Sequence, residues 1–317
     1  MLTFGLIGYP LEHSLSPRLH AAALQAMSLD GEYRLFPVPP LPEGAAELEE
    51  LVAKLRRGRL TGSNVTVPHK QDVMAYLDAT SPTAAAIGAA NTLYLRNGRL
   101  SGENTDAPGF IADLDRVLEY RRSTGWLDQG SSTQHALILG AGGSARAVAY
   151  ALLAQGWQVT VAARRLEQAA ELATSVQRSV DGEPSLVVGD HSSSMGARVE
   201  PIELQYPSVF NLLSEITLVV NATPVGMWPQ VDASPWPAGL ALPEGALVYD
   251  LVYNPVETAF LKMARGAGLP TANGLGMLIE QAALALELWT GRKVPRASMW
   301  EAVTEFKLEG FIQGDRP

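Results

Sequence analysis

The chain has 317 residues, 47% of them hydrophobic and 18% charged, a length and composition that predict two domains and exclude global disorder. A formal net charge of -9 argues against nucleic acid or an anionic membrane as a partner. The absence of cysteine removes disulfides, zinc–thiolate sites and thiol nucleophiles, and fits a reducing cytoplasm.

LTFGLIG (2–8) reads as a first strand. The segment around it lacks a basic n-region and a cleavage-type ending, so a signal peptide is not expected. No run of about 18 apolar residues occurs, so neither is a membrane span. SPRLHAAALQAM (16–27) follows as a helix, with Ser16 as N-cap and Pro17 in its first turn. EYRLFPV is a second strand, and residues 42–58 form a helix that Gly58 stops. NVTV (64–67) is the next strand, closed by Pro68, which has no N–H for the ladder.

TLYLRNGRLSG carries two alternating runs around Asn97-Gly98, a strong hairpin signal. A two-residue turn there sets Asn91 opposite Asn104, with Asp106 just past the strand end. Lys70, two residues beyond Pro68, can then meet Asn91 and Asp106 at strand ends, the usual place for an open α/β site. Asp106 can also cap the helix pattern APGFIADLDRVLEY.

Residues 120–135 are polar and aperiodic and read as a loop before a new unit; residues 178–201 read as loop with one short strand. Between them, HALILGAGGSARAVAYALLAQGWQVTVAARR is strand, turn, helix and strand within one βαβ-sized stretch. GAGGSA (140–145) fits the G-x-G-x-x-G/A dinucleotide pattern in its proper context. Gly140 makes the tight turn, Gly142 lets backbone approach a pyrophosphate, and Ala145 allows close helix–strand packing. Gly143 and Ser144 open the helix whose N–H groups face the phosphates. The second strand ends in Arg164-Arg165 with no acid before Glu167. Two guanidiniums suit a 2′-phosphate, whereas an NAD site usually places Asp or Glu there, so NADP is the expected cofactor. ITLVVNATP and GALVYDLVYNP are buried strand runs, and GLGMLIEQAALALELWTG is a long closing helix pattern. His13, His20 and His69 show no metal-ligand spacing, so no metal is assigned.

In this order the chain carries GYPLEHSLSPRLH (8–20), NVTVPHK (64–70), GAANTL (88–93), GENTDAPGF (102–110), GAGGSARA (140–147), NATPVGM (221–227), YDLVYNP (249–255) and NGLGMLIEQA (273–282). Together these resemble the shikimate dehydrogenase family along nearly the whole length. The resemblance implies reduction of 3-dehydroshikimate to shikimate with NADPH, on the route to aromatic amino acids. By the same resemblance Ser14, Ser16 and Tyr253 contact the substrate carboxylate. Asn64, Thr66, Lys70, Asn91 and Asp106 surround the ring hydroxyls, with Lys70 and Asp106 as the catalytic pair, and Gln281 is a late substrate contact. Ala141, Arg164 and Arg165 belong to the dinucleotide pocket, Thr223, Met227 and Leu251 line the cofactor, and Gly274 and Met277 lie near the nicotinamide.

The chain departs from the family pattern at Tyr9, where Asn is common, at Ala163, where Asn often precedes the first arginine, and at Pro224, where Ser is frequent. The expected architecture is a two-domain α/β fold. Residues 1–106 with 271–317 form an N-terminal-type α/β substrate domain, residues 107–270 a Rossmann-type doubly wound NADP domain, and the site lies in the cleft between. A monomer or homodimer is expected. An NAD-dependent quinate/shikimate dehydrogenase and a metabolite-sensing homologue without turnover are the alternatives. Arg164-Arg165 oppose the first, and the presence of both Lys70 and Asp106 opposes the second.

Overall fold

The computed structural model describes residues 1–123, 134–182 and 196–303. Most of the two aperiodic segments, 124–133 and 183–195, thus lies outside the described residues. The chain divides into two compact units: unit 1 is Met1–Thr105 with Leu278–Pro317, and unit 2 is Asp106–Met277.

Unit 1 opens with β1 (Leu2–Gly8), α1 (Ser16–Ala26), β2 (Gly31–Pro37), α2 (Ala45–Arg56) and β3 (Gly62–Val65). A 3₁₀ turn (Asp72–Tyr76), β4 (Ala79–Thr80) and α3 (Pro82–Ile87) lead to the hairpin of β5 (Thr92–Arg96) and β6 (Arg99–Glu103). Among the described residues these strands form one sheet in the order β2-β1-β3-β5-β6-β4. β1 runs parallel to β2 and β3, while β5 is antiparallel to β3 and β6. The hairpin pairs Thr92 with Glu103 and Arg96 with Arg99, the register that Asn97-Gly98 demands, and both turn residues have positive φ (52° and 74°). On α2, Leu48, Leu51, Val52 and Leu55 recur at helical spacing and bury against Ile7, Val65, Leu93 and Leu100 of the sheet. Each such side chain contributes about 1.5–3 kcal/mol by leaving water.

Unit 2 contains α4 (Asp106–Ser123), β7 (His135–Leu139), α5 (Gly143–Ala154), β8 (Gln158–Ala163), α6 (Leu166–Gly182) and β9 (Val199–Glu203). It continues with α7 (Tyr206–Phe210), β10 (Leu218–Asn221), β11 (Leu247–Asp250), α8 (Ala259–Gly266) and β12 (Thr271–Asn273). The sheet order is β12-β11-β10-β7-β8-β9, parallel throughout. This is the doubly wound dinucleotide-binding order, whose switch point lies between β7 and β10. The strand runs ALIL, LVVN and LVYD are buried at every position, as strands covered on both faces must be. The last helix, α9 (Leu275–Thr290), begins in unit 2 and continues in unit 1.

Three readings are adjusted. Helix α1 starts at Ser16 itself, and Ser14 Oγ accepts the Ser16 N–H at 3.3 Å, so Ser14 supplies the side-chain oxygen expected of Ser16. Strand β3 ends at Val65, although the β1 side of the ladder persists through Thr66 N–H to Ile7 O (2.8 Å) and Tyr9 N–H to Val67 O (2.9 Å). Helix α6 fills 166–182, where its amphipathic spacing (Ala169, Leu172, Ala173, Val176 buried) was obscured by polar neighbours.

Candidate active site

In unit 1 the polar side chains expected at the substrate are gathered at one end of the sheet by β3, β5 and β6. Asn91, 2% exposed, sits immediately before β5, where its backbone N–H bonds Glu103 O at 3.0 Å. Its Oδ1 accepts the Thr105 N–H (2.8 Å) and the Thr92 hydroxyl (3.0 Å), and its amide donates to Thr105 Oγ1 (3.0 Å). Gln281 Oε1 lies 3.5 Å from the same amide, so α9 reaches the group from the other end of the chain. Asn64 donates to Asn91 O (3.2 Å) and Thr92 Oγ1 (3.1 Å) and accepts from the Tyr33 hydroxyl (2.9 Å). The side chain of Asn64 therefore braces Asn91 from within the protein.

Lys70 follows the 64–67 stretch as expected and is 8% exposed. Its carbonyl accepts the Ala90 N–H at 2.8 Å, which fixes its backbone beside Asn91. His69 faces elsewhere: its ring bonds Val38 O (2.9 Å) and Asp72 (3.0 Å), the behaviour of a structural clip. Ser14 and Ser16 sit at the start of α1, Ser14 half-buried and Ser16 buried, and Thr66 is half-buried beyond β3. Thr92, Thr105 and Tyr33 complete this network without having been singled out in the sequence. The signal available for Thr105 was its place between Asn104 and Asp106; nothing marks Tyr33.

Unit 2 contributes Asp106, 4% exposed at the first turn of α4. The glycine-rich turn lies at the switch point. Gly140 has φ +109°, and a Cβ there would come within 2.9 Å of Thr223 Cγ2, so the turns after β7 and β10 touch. Gly142 is the exposed N-cap of α5 with nothing within 4 Å of a notional Cβ, leaving its backbone open to a ligand. Ala141, Gly143 and Ser144 are half-buried around it, and Ala145 is fully buried against the sheet. Arg164 and Arg165 stand exposed just past β8. These features fit an NADP-type dinucleotide: N–H groups at a helix N-terminus for phosphate, and exposed guanidiniums at the end of the second strand.

Behind this edge lies a second network, built on Asn221, Asp250 and Thr258, none of which was singled out as a site residue in the sequence. Asn221, ending β10, accepts the Thr223 N–H (3.0 Å) and hydroxyl (2.7 Å) and donates to Asp250 Oδ1 (2.8 Å) and Val225 O (3.2 Å). Asp250 also accepts from the Thr258 hydroxyl (2.6 Å) and the Val252 N–H (3.0 Å). Burial raises its pKa to about 6, against the lowering effect of these donors. The network holds the loop of Thr223 and Met227, and Leu251 follows Asp250 directly. Gly274 is required because a Cβ there would overlap the Leu251 carbonyl, and Met277 is buried one turn into α9. Tyr253 and Met227 are half-buried and exposed respectively.

Three segments match family models. Residues 6–93 match the shikimate dehydrogenase substrate binding domain, 127–183 the shikimate/quinate 5-dehydrogenase model, and 274–304 the shikimate 5'-dehydrogenase C-terminal domain. A shikimate dehydrogenase (NADP(+)) of Symbiobacterium thermophilum is 40% identical over 292 residues, covering 92% of this chain and 90% of that one. The chain belongs to the shikimate dehydrogenase family. Among solved structures, shikimate 5-dehydrogenase from Thermus thermophilus, in complex with NADP(H) and shikimate, is 38% identical with a TM-score of 0.73. The match covers 96% of this chain and 99% of that one. A quinate dehydrogenase from Corynebacterium glutamicum in complex with NAD is 30% identical with a TM-score of 0.76, covering 96% and 99%. Members of this structural group therefore differ in both substrate and cofactor, and the end of β8 bears on that difference. Among the described residues no helix is long and apolar enough to cross a membrane.

Proposed function

We propose that this chain is a shikimate dehydrogenase that reversibly reduces 3-dehydroshikimate to shikimate with NADPH, acting in the cytoplasm on the route to chorismate and the aromatic amino acids. The observation that carries the reading is that one member of this family holds both a glycine turn at the switch point of the unit 2 sheet and, in unit 1, the Lys70–Asn91 group.

NADPH, when bound, supplies a hydride to the ketone carbon of the substrate. The residues of the chain handle the oxygen. Lys70 donates to the developing alkoxide, and Asp106 orients the lysine and the neighbouring ring hydroxyl. Asn91, its oxygen held by Thr105 and Thr92, presents its amide in a fixed direction. Asn64 and Thr66 shape the same wall, and Gln281 approaches it from α9. Ser14, Ser16 and Tyr253 bind the carboxylate through neutral donors, each contributing about 1 kcal/mol net, which suits a product that must leave. Gly140 through Ala145 seat the pyrophosphate, Arg164 and Arg165 bind the 2′-phosphate, and Thr223, Met227, Leu251, Gly274 and Met277 line the nicotinamide half. We assign substrate to residues 1–106 with 271–317 and NADP to 107–270, whereas the compact units divide after Thr105 and after Met277, so Asp106 and residues 271–277 fall in unit 2.

The test is purified protein with shikimate and NADP⁺, followed at the reduced-nicotinamide absorbance, with NAD⁺ and quinate as parallel arms. Rapid NADPH formation from shikimate is expected. Absence of signal in all arms overturns the enzyme reading; a preference for NAD⁺ overturns the role of the arginine pair, and a preference for quinate the substrate.

A further inference from the structure

Unit 2 contains a buried carboxylate that none of the roles above uses. Asp113, on α4, is 1% exposed and accepts the Tyr249 hydroxyl at 2.5 Å. Arg116, one turn on, bonds its other oxygen through Nε (2.8 Å) and a terminal nitrogen (2.7 Å). Tyr249 lies on β11, fully buried, with its ring edge-on to Phe110 of α4 at 5.3 Å between centroids. Burial, and after it the charge of Asp113, push the Tyr249 phenol well above its ordinary pKa, with Arg116 and the Met277 N–H acting the other way. The phenol thus stays protonated and donating. The third element is α9. A Cβ on Gly276 would overlap the Asp113 carboxylate, so the first turn of that helix is seated directly on the acid. Helix α4 follows one of the two passages of the chain between units (Thr105 to Asp106), and Met277 precedes the other. One carboxylate therefore ties both passages to β11 of the unit 2 sheet.

We propose that Asp113, Tyr249 and Gly276 form a latch that fixes the first turn of α9, and with it Met277, at the nicotinamide end of the cofactor site. Asp113 and Tyr249 are positioning residues for hydride transfer. The proposal rests on the dehydrogenase reading, because it deepens the assignment of Gly274 and Met277 to the nicotinamide. Geometry favours the latch over simple packing. A hydrophobic pair would fill the same space without directing anything, whereas a carboxylate shared by a phenol, a guanidinium and a glycine-only backbone permits one placement of the helix start.

The experiment uses the full chain with Tyr249→Phe, Asp113→Asn and Gly276→Ala, and Phe110→Leu as a control that disturbs the Tyr249 ring without removing its hydroxyl. Three quantities are read: kcat with shikimate and NADP⁺, the deuterium isotope effect with C3-deuterated shikimate, and the affinities for NADPH and for 2′,5′-ADP, which lacks the nicotinamide half. Tyr249→Phe and Asp113→Asn are expected to lower kcat about tenfold and to raise the isotope effect, since displacement of reacting atoms by a fraction of an ångström has effects on this scale. NADPH affinity should fall while 2′,5′-ADP affinity stays at the wild-type value. Phe110→Leu should lower Tm without moving these quantities in the folded enzyme. Gly276→Ala should resemble Asp113→Asn, and in an Asp113→Ala background it should add little, since the overlap is then relieved. The latch is overturned if the Tyr249 and Asp113 variants lower only Tm, or if both nucleotides weaken equally. Should a variant fail to fold, the isotope effect and affinities of the remaining ones decide. An inactive wild type would instead overturn the dehydrogenase reading, so the two failures are distinguishable.

Discussion

The two units solve the same problem, a polar site at the end of a twisted sheet, with different materials. In unit 1 the network behind the site is made of neutral groups: Asn64, Asn91, Thr92, Thr105 and Tyr33 satisfy one another. In unit 2 the corresponding networks close on carboxylates, Asp250 behind the Thr223 loop and Asp113 behind the start of α9. The difference follows from what each must hold. In the proposed site unit 1 presents side chains, Lys70 and neutral donors among them, and amides and hydroxyls orient these without adding charge beside the reacting oxygen. Unit 2 presents mainly backbone, and short charge-assisted bonds to acids hold loops and helix ends more firmly than neutral ones.

The largest effect should come from Lys70, in unit 1. Lys70→Ala is expected to lower kcat by about 10²-fold or more, the scale of one acid–base group, as read from steady-state NADP⁺ reduction. Asp106→Asn should do the same. If Lys70→Ala changes KM alone, the lysine binds but does not take part in the chemistry.

Stability should then separate the networks. Asn91→Ala leaves the buried Thr105 N–H without its acceptor, at about 2 kcal/mol, while the threonine hydroxyls can turn to each other across 3.3 Å. Asn221→Ala orphans the Thr223 N–H and also removes a donor from a buried acid, so about 3–4 kcal/mol is expected. Urea unfolding of the two variants compares them directly. Equal losses would mean that the charge on Asp250 adds nothing. Replacing Arg164 and Arg165 together by alanine should raise KM for NADPH about 30-fold and leave that for NADH unchanged, the loss of charge-assisted bonds to one phosphate.

How far this contrast could be read from sequence depended on the range of the interactions. The β5–β6 hairpin was legible because Asn97-Gly98 fixes register locally, and it carried Asn91 to the right place beside residues 103–105. The glycine turn was legible because strand, turn and helix are contiguous. The supports were not. Tyr33 meets Asn64 across 31 positions and Tyr249 meets Asp113 across 136, and neither pair has a local signature. Asn64, expected at the ring hydroxyls, is buried and spends its amide on Asn91 and Thr92 within the protein. Alternation identifies the face of a strand, but not what covers it. Helix α8 escaped for a related reason: its Thr258 cap, bonded to the Leu261 N–H, directly follows the turn-like NPVE segment that masks the helix start.

The smallest net effect is also the one that resolves the units most sharply. His20 in unit 1 is fully buried and stacked on Tyr33 at 4.0 Å, and among the described residues neither ring nitrogen makes a well-formed hydrogen bond. Burial lowers its pKa from 6.5 to about 3, and Asn64 offsets little of this. The folded state thus keeps His20 neutral while the unfolded chain takes up a proton below pH 6.5, so stability is full above that pH and is lost as pH falls. At pH 5 the loss is about 2 kcal/mol. Asp250 in unit 2 has the opposite sign: its folded pKa, about 6, exceeds the ordinary 3.8, so the folded state binds the extra proton. Its contribution is full below 3.8 and is lost as pH rises through 6, which makes unit 2 about 1 kcal/mol more stable at pH 5 than at pH 7. Globally the two oppose each other and leave a net loss of about 1 kcal/mol at pH 5. Residue-resolved hydrogen exchange should separate them: on going from pH 7 to 5, protection factors, corrected for intrinsic exchange, fall along β1 and β3 and hold or rise along β10 and β11. His20→Phe, which keeps the stack on Tyr33, should abolish the fall in unit 1 and leave unit 2 unchanged. A uniform loss of protection in both units would show that acid acts through some other group, and that the neutral and acidic networks do not titrate apart.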